Sequence, residues 1–206
     1  MKKSKQEFSG ADVILGSQSP RRRELLKKIV NDFRVVPSGI DEERFRERDP
    51  VEFALMMAVA KAKEISARYP ASLVIAADTL VCLNEEIFGK PKSRAEARAM
   101  LRKLSGRRHR VVTAVALSRK EDDRLRTGHE TSWVTFKRLS REDIEGYLQT
   151  KQYLDKAGSY AIQEAGDALV ESLEGDYDNV VGLPVRLLRS LLDEFFDRGR
   201  SPKGHP

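Results

Sequence analysis

An α/β sheet protein is what this sequence predicts, on two observations. Short β-branched apolar runs, Val13-Ile14-Leu15 and Leu73 to Ala77 among them, have the length and composition of buried strands. Between such runs come stretches opened by a serine or aspartate cap, whose apolar residues recur at helical spacing. With 206 residues and 40% hydrophobic content, the chain can bury one sizeable core. A single domain is therefore expected over residues 11–197, with a flexible lead-in over 1–10 and a disordered, Pro/Gly-containing tail over 198–206.

The elements follow in order. The first strand ends at Gly16-Ser17, and Ser19 caps a helix whose first residue is Pro20, where a missing N–H costs nothing. Leu25, Leu26 and Ile29 form its inner face. Ser17, Ser19, open backbone N–H groups and Arg21 and Arg22 then converge on the helix start, a place suited to phosphate. Phe33 to Val36 is a second strand, followed by the acidic Asp41-Glu42-Glu43. Asp49-Pro50 opens a helix running to Tyr69, with Phe53, Met56, Met57 and Ala60 inward and Lys61 and Lys63 in its C-terminal half. Leu73 to Ala77 is a strand whose end bears Asp78 and Thr79. The loop Gly89-Lys90-Pro91 faces it, with a glycine for close approach and a lysine for charge. Ser93-Arg94-Ala95-Glu96 reads as a capping box for a helix with Ala97, Met100, Leu101 and Leu104 inward. Val111 to Leu117 and Thr131 to Phe136 are two further strands, and Ser140 caps the next helix. Residues 157–166 read as a loop or bulge because glycines punctuate them. The last helix turns Leu187, Leu188, Leu191, Leu192 and Phe195 inward.

Taken together, ADTLV, GKPKS and AMLRKLSGRRHRVVTAVAL, with SQSPRRRELL before and GDYDNVVGLP after, resemble the Maf family. These are nucleoside triphosphate pyrophosphatases, also described as septum-formation inhibitors. The resemblance implies a mixed twisted sheet flanked by helices, similar to inosine triphosphatases, with a central cleft. It also implies hydrolysis of dTTP and UTP to the monophosphate and pyrophosphate, a house-cleaning role toward modified nucleotides, and a link to division arrest. Glu42 and Asp78 are the implied ligands of a divalent cation, Mg2+ or Mn2+, with Asp78 also orienting or deprotonating the water. Ser17, Arg22, Lys61 and Lys90 are implied phosphate contacts, Lys90 meeting charge in the transition state. Arg21, Thr79 and Gln163 are the expected base-reading residues. Gly16 stands where the family usually has alanine, and Ala161 and Glu164 where the pyrimidine branch has glycines.

Lysine and arginine outnumber aspartate and glutamate by 38 to 32, a net +6, which suits an anionic partner. The alternative to an enzyme is a nucleic-acid or septum-machinery binding protein; another is the same hydrolysis on a modified or purine nucleotide. With 7% aromatics and no RNP-type motif or zinc knuckle, no specific nucleic acid is expected. The only cysteine, Cys82, excludes an intrachain disulfide and reads as core. MKKSKQEFSG lacks a signal-peptide apolar region and no stretch approaches 18 apolar residues, so a cytoplasmic protein without a membrane partner is expected. The family suggests a homodimer. His109 and His129 receive no role, and Trp133 reads as core or dimer surface.

Overall fold

The computed structural model describes residues 12–41 and 49–197. The expected lead-in, the tail and Glu42 lie outside the described residues. Among those described, seven strands form one mixed sheet: β1 (Val13–Leu15), β2 (Arg34–Val35), β3 (Leu73–Leu83), β4 (Glu86–Phe88), β5 (Arg108–Arg119), β6 (Arg124–Phe136) and β7 (Val170–Glu174). The order is β2-β1-β3-β5-β6-β7, with β4 pairing β3. The pairs β1–β2 and β1–β3 are parallel and all others antiparallel. Helices flank the sheet: α1 (Pro20–Lys27), α2 (Pro50–Arg68), α3 (Arg94–Leu104), α4 (Arg141–Gln149), α5 (Ile162–Leu169), α6 (Tyr177–Val181) and α7 (Val185–Phe196).

Local chemistry starts the helices where expected. Ser19, Asp49, Ser93 and Ser140 each accept a backbone N–H of the first turn. Ser140 and Asp143 complete a reciprocal capping box. At α3, by contrast, the Glu96 carboxylate takes the N–H of Lys92, one residue before the cap, so the box read from the sequence is only half formed.

Three corrections concern elements. The strand read as ending at Ala77 runs on to Leu83, because β5 pairs with it from Val74 through Cys82. The glycine-marked segment read as a loop contains a 3-10 turn, Ala157–Ser159, and then α5. The inner face of α2 is rotated by about one residue, to Ala54, Met57, Ala58, Lys61, Ala62 and Ile65. Alanines sit there because β3 and β5 present Ala76, Ala114 and Ala116 to the same cluster, and small facing residues let helix and sheet approach closely. Complete burial of Met57 and Ile65 contributes about 1.5–3 kcal/mol each.

Alternation along β3 divides its neighbours. Val74, Ala76, Leu80 and Cys82 join the α2 layer, while Ile75 and Ala77 join the layer of α1 and α7. Cys82 is fully buried, and burial pushes its thiol up to about 11. Trp133, read as core or dimer surface, is 36% exposed on β6, under the Arg108 guanidinium at 4.4 Å.

Candidate active site

One edge of β3 is covered by two strands that do not meet. β1 pairs with Leu73 to Ile75 and then stops, whereas β4 covers only Val81 to Leu83. Between them the edge from Ala76 to Leu80 carries no strand, and a cavity of about 600 Å³ opens there. The short β1, ended by Gly16-Ser17, and the tight hairpin at Asn84 and Glu85 that returns β4 together set this opening. A Cβ on Gly16 would lie 2.8 Å from Ile65 Cδ1 and 3.3 Å from the Ala76 Cβ. The glycine therefore accommodates an isoleucine on α2.

On the α2 side of the opening, Lys61 Nζ lies 2.6 Å from Asp78 Oδ1. Both residues are buried, at 8% and 7% exposure. An aspartate inside a sheet is sustained by that partner: removing one member of such a pair leaves the other charge buried and uncompensated.

On the opposite side the next residue, Thr79, belongs to a different arrangement. The Arg22 guanidinium donates from Nε to Gly182 O at 2.8 Å and from Nη1 to Ala77 O at 2.8 Å. It also donates to Ser17 Oγ at 3.3 Å and from Nη2 to Thr79 Oγ1 at 2.9 Å. Thr113, the cross-strand partner of Thr79, gives its hydroxyl proton to Asn179 O at 2.9 Å. The Thr79–Thr113 contact at 3.0 Å then takes its proton from Thr79. Arg22, Thr79, Thr113 and the Asn179 carbonyl form a one-way relay that ties α1, β3, β5 and α6 together. Gly182 ends α6 at φ +122°, a backbone conformation that suits glycine.

All of the described residues predicted for the site line this one cavity: Ser17, Arg21, Arg22 and Lys61, with Asp78, Thr79, Lys90 and Gln163. Glu42 lies outside the described residues. Ser17 Oγ also accepts the Ser19 N–H at 3.2 Å, and Ser19 Oγ the Arg22 N–H; the start of α1 thus spends two donors internally. Gln163 stands in the first turn of α5, exposed toward the cavity. Lys90 follows β4, exposed, and its loop is tied by Gly89 O to the Gly158 N–H at 3.1 Å.

Residues not anticipated from the sequence complete the cavity. Lys156 lines the wall near Arg21, and behind the lining Thr113 and Asn179 are fully buried. Thr113 carried a signal, for it interrupts the apolar run Val111 to Leu117 as Asp78 interrupts its own. The buried His109 donates to or accepts from Tyr160 Oη at 2.8 Å, behind the cavity wall that Tyr160 helps to line. His129 is exposed.

Fold and cavity together define an α/β protein whose cation-rich pocket opens beside a buried lysine–aspartate pair. The Maf family model, described as Maf-like protein, matches residues 12–195, and the chain belongs to that family. It is 46% identical over 181 residues to a dTTP/UTP pyrophosphatase of Pyrococcus furiosus, covering 88% of this chain and 94% of the other. A dTTP/UTP pyrophosphatase of Thermosipho africanus is 48% identical over 187 residues, covering 91% and 93%. Among solved structures, a HAM1 protein from Coxiella burnetii covers 89% of this chain and 99% of its own at a TM-score of 0.49 and 20% identity.

Proposed function

We propose that this protein hydrolyses dTTP and UTP to the nucleoside monophosphate and pyrophosphate. The observation that carries the reading is the cavity itself, where a buried carboxylate and several cations meet in a chain nearly half identical to proteins named for that reaction. In the reaction, water oxygen bonds to the α phosphorus, the α–β bridging bond breaks, and pyrophosphate leaves. Asp78 orients the water and receives its proton; Lys61 holds the Asp78 carboxylate in place. Lys90 approaches the polyphosphate, and Arg22 fixes the floor between α1 and β3. Preplaced cations stabilise charge that moves onto the departing oxygens.

A divalent cation belongs to the reading. Among the described residues no cluster of three ligating side chains stands together, but magnesium needs only one or two carboxylates beside substrate oxygens and water, and Asp78 fits that requirement. Glu42 is the second acid of the proposal. When bound, the cation would lower the charge barrier at the phosphates. The proposal also includes a cytoplasmic homodimer; no helix among the described residues is long and apolar enough to cross a membrane.

The test is a nucleotide panel with added Mg2+, detecting monophosphate and pyrophosphate separately. The expected outcome is turnover of dTTP and UTP, little of 7-methylguanosine triphosphate, and loss of activity on chelation. Release of orthophosphate in place of pyrophosphate, or no turnover of either pyrimidine, would refute it.

A further inference from the structure

The cavity wall formed by residues 154–163 carries a cation with no part in the scheme above. Lys156 is half-buried and lines the cavity. Among the described residues its ammonium makes no hydrogen bond and no ion pair. Its nearby charges are Arg21, Glu164 and Asp155. Burial first, and then the Arg21 guanidinium, hold the Lys156 ammonium below its ordinary pKa.

Lys156 is also held in place. Two residues on, Gly158 stands at φ +66°, with 2.8 Å between a built Cβ and Val81 Cγ1; its N–H is bonded to Gly89 O. The loop therefore rests directly on β3. Two like charges, Arg21 and Lys156, thus stand near each other in the wall that Gln163 also lines, and neither is neutralised by a bonded carboxylate. A ligand presenting two acceptors there relieves that repulsion.

We infer that Lys156 and Arg21 flank the Gln163 amide as two cationic donors reading the two carbonyl oxygens of a uracil or thymine edge. That edge runs acceptor, donor, acceptor through O4, N3–H and O2. The wall offers donor, acceptor, donor when the Gln163 oxygen faces N3–H. Cytosine places an amino group where one carbonyl would be, so an N–H meets an ammonium or guanidinium. Polar mismatches of this kind discriminate by roughly ten- to a hundredfold. The inference rests on the proposed pyrimidine triphosphate hydrolysis and assigns a specificity-determining residue to it.

The experiment compares kcat/KM for UTP and CTP in the wild type, Lys156→Met and Lys156→Arg, alongside pyrophosphate inhibition and thermal melting. In Lys156→Met, UTP efficiency is expected to fall by about ten- to a hundredfold, mostly through KM, with CTP changed far less. Lys156→Arg should keep the UTP preference, and neither pyrophosphate inhibition nor Tm should move. If the methionine variant melts early, Lys156→Gln is measured in its place. A UTP-to-CTP ratio that stays put overturns the inference alone; so does a loss of pyrophosphate inhibition, which would move Lys156 to the phosphate chain. A wild type that hydrolyses neither UTP nor dTTP overturns both the inference and the function beneath it.

Discussion

Replacing Asp78 by asparagine tests two things at once. From the sequence the change looks benign to the fold, since it removes charge and little volume, but the structure buries Asp78 against Lys61. Breaking a buried pair from one side costs about 3–5 kcal/mol. Asp78→Asn is therefore expected to lose both turnover and melting temperature. The double variant Asp78→Asn/Lys61→Met, with no stranded charge, is expected to recover much of the melting temperature while remaining inactive. Turnover near wild type in either protein would remove Asp78 from the reacting water, and an unshifted melting point in the single variant would show that the pair contributes nothing to stability. Lys61 also shows why residue roles were harder to read than residue positions. The resemblance implied a phosphate contact, and only the phase of α2 reveals that Lys61 points at the sheet.

At the scale of elements, what the sequence disclosed was whatever chemistry is local. Helix starts were legible because a cap lies within three residues of the N–H groups it satisfies, and strand cores because apolar β-branched runs are contiguous. The inner face of α2 was read correctly at Met57 but misjudged at Phe53 and Met56, which are large, whereas close packing against Ala76, Ala114 and Ala116 selects the alanine side. The opening beside β3 was not legible at all, since it depends on where β1 stops and β4 begins along a third strand. α5 was missed for want of a cap: Ala161 stands at its start with no side-chain hydrogen bond. The loop before it carries a prediction of its own. Gly158→Ala places a Cβ against Val81 in a backbone region that side chains disfavour, at about 1–3 kcal/mol. Because the same residue binds Gly89 O, the variant is expected to lower both Tm and kcat/KM. Unchanged melting together with unchanged kinetics would show that the loop is not held as described.

For the molecule as a whole, arginines of the basic excess that suited an anionic partner are in several places engaged within the fold. Arg22 turns into the cavity, Arg108 pairs with Glu174 over Trp133, and Arg98 and Arg94 join α3 to Glu145 of α4. Stability toward acid turns instead on the interior. Burial pushes His109 from 6.5 down to about 4. Between those values the unfolded chain carries a proton that the folded one refuses, so stability, full above about pH 6.5, falls as pH drops toward 4, by about 3 kcal/mol in all. Urea unfolding at pH 7.5 and pH 5 checks this: His109→Gln is expected to show a smaller loss than the wild type, and an equal loss would place the acid sensitivity elsewhere. The interrupted edge of β3 has a consequence for self-association as well. An uncovered strand edge is a template for another molecule's strand. Here the uncovered stretch, Ala76 to Leu80, is closed off at both ends by strands of the same chain. Within it, Arg22 already occupies the Ala77 carbonyl, and Gly16 N–H the Ile75 carbonyl beside it. The sheet can thus stay open to a small molecule while offering no run of backbone long enough for a second chain to zip onto.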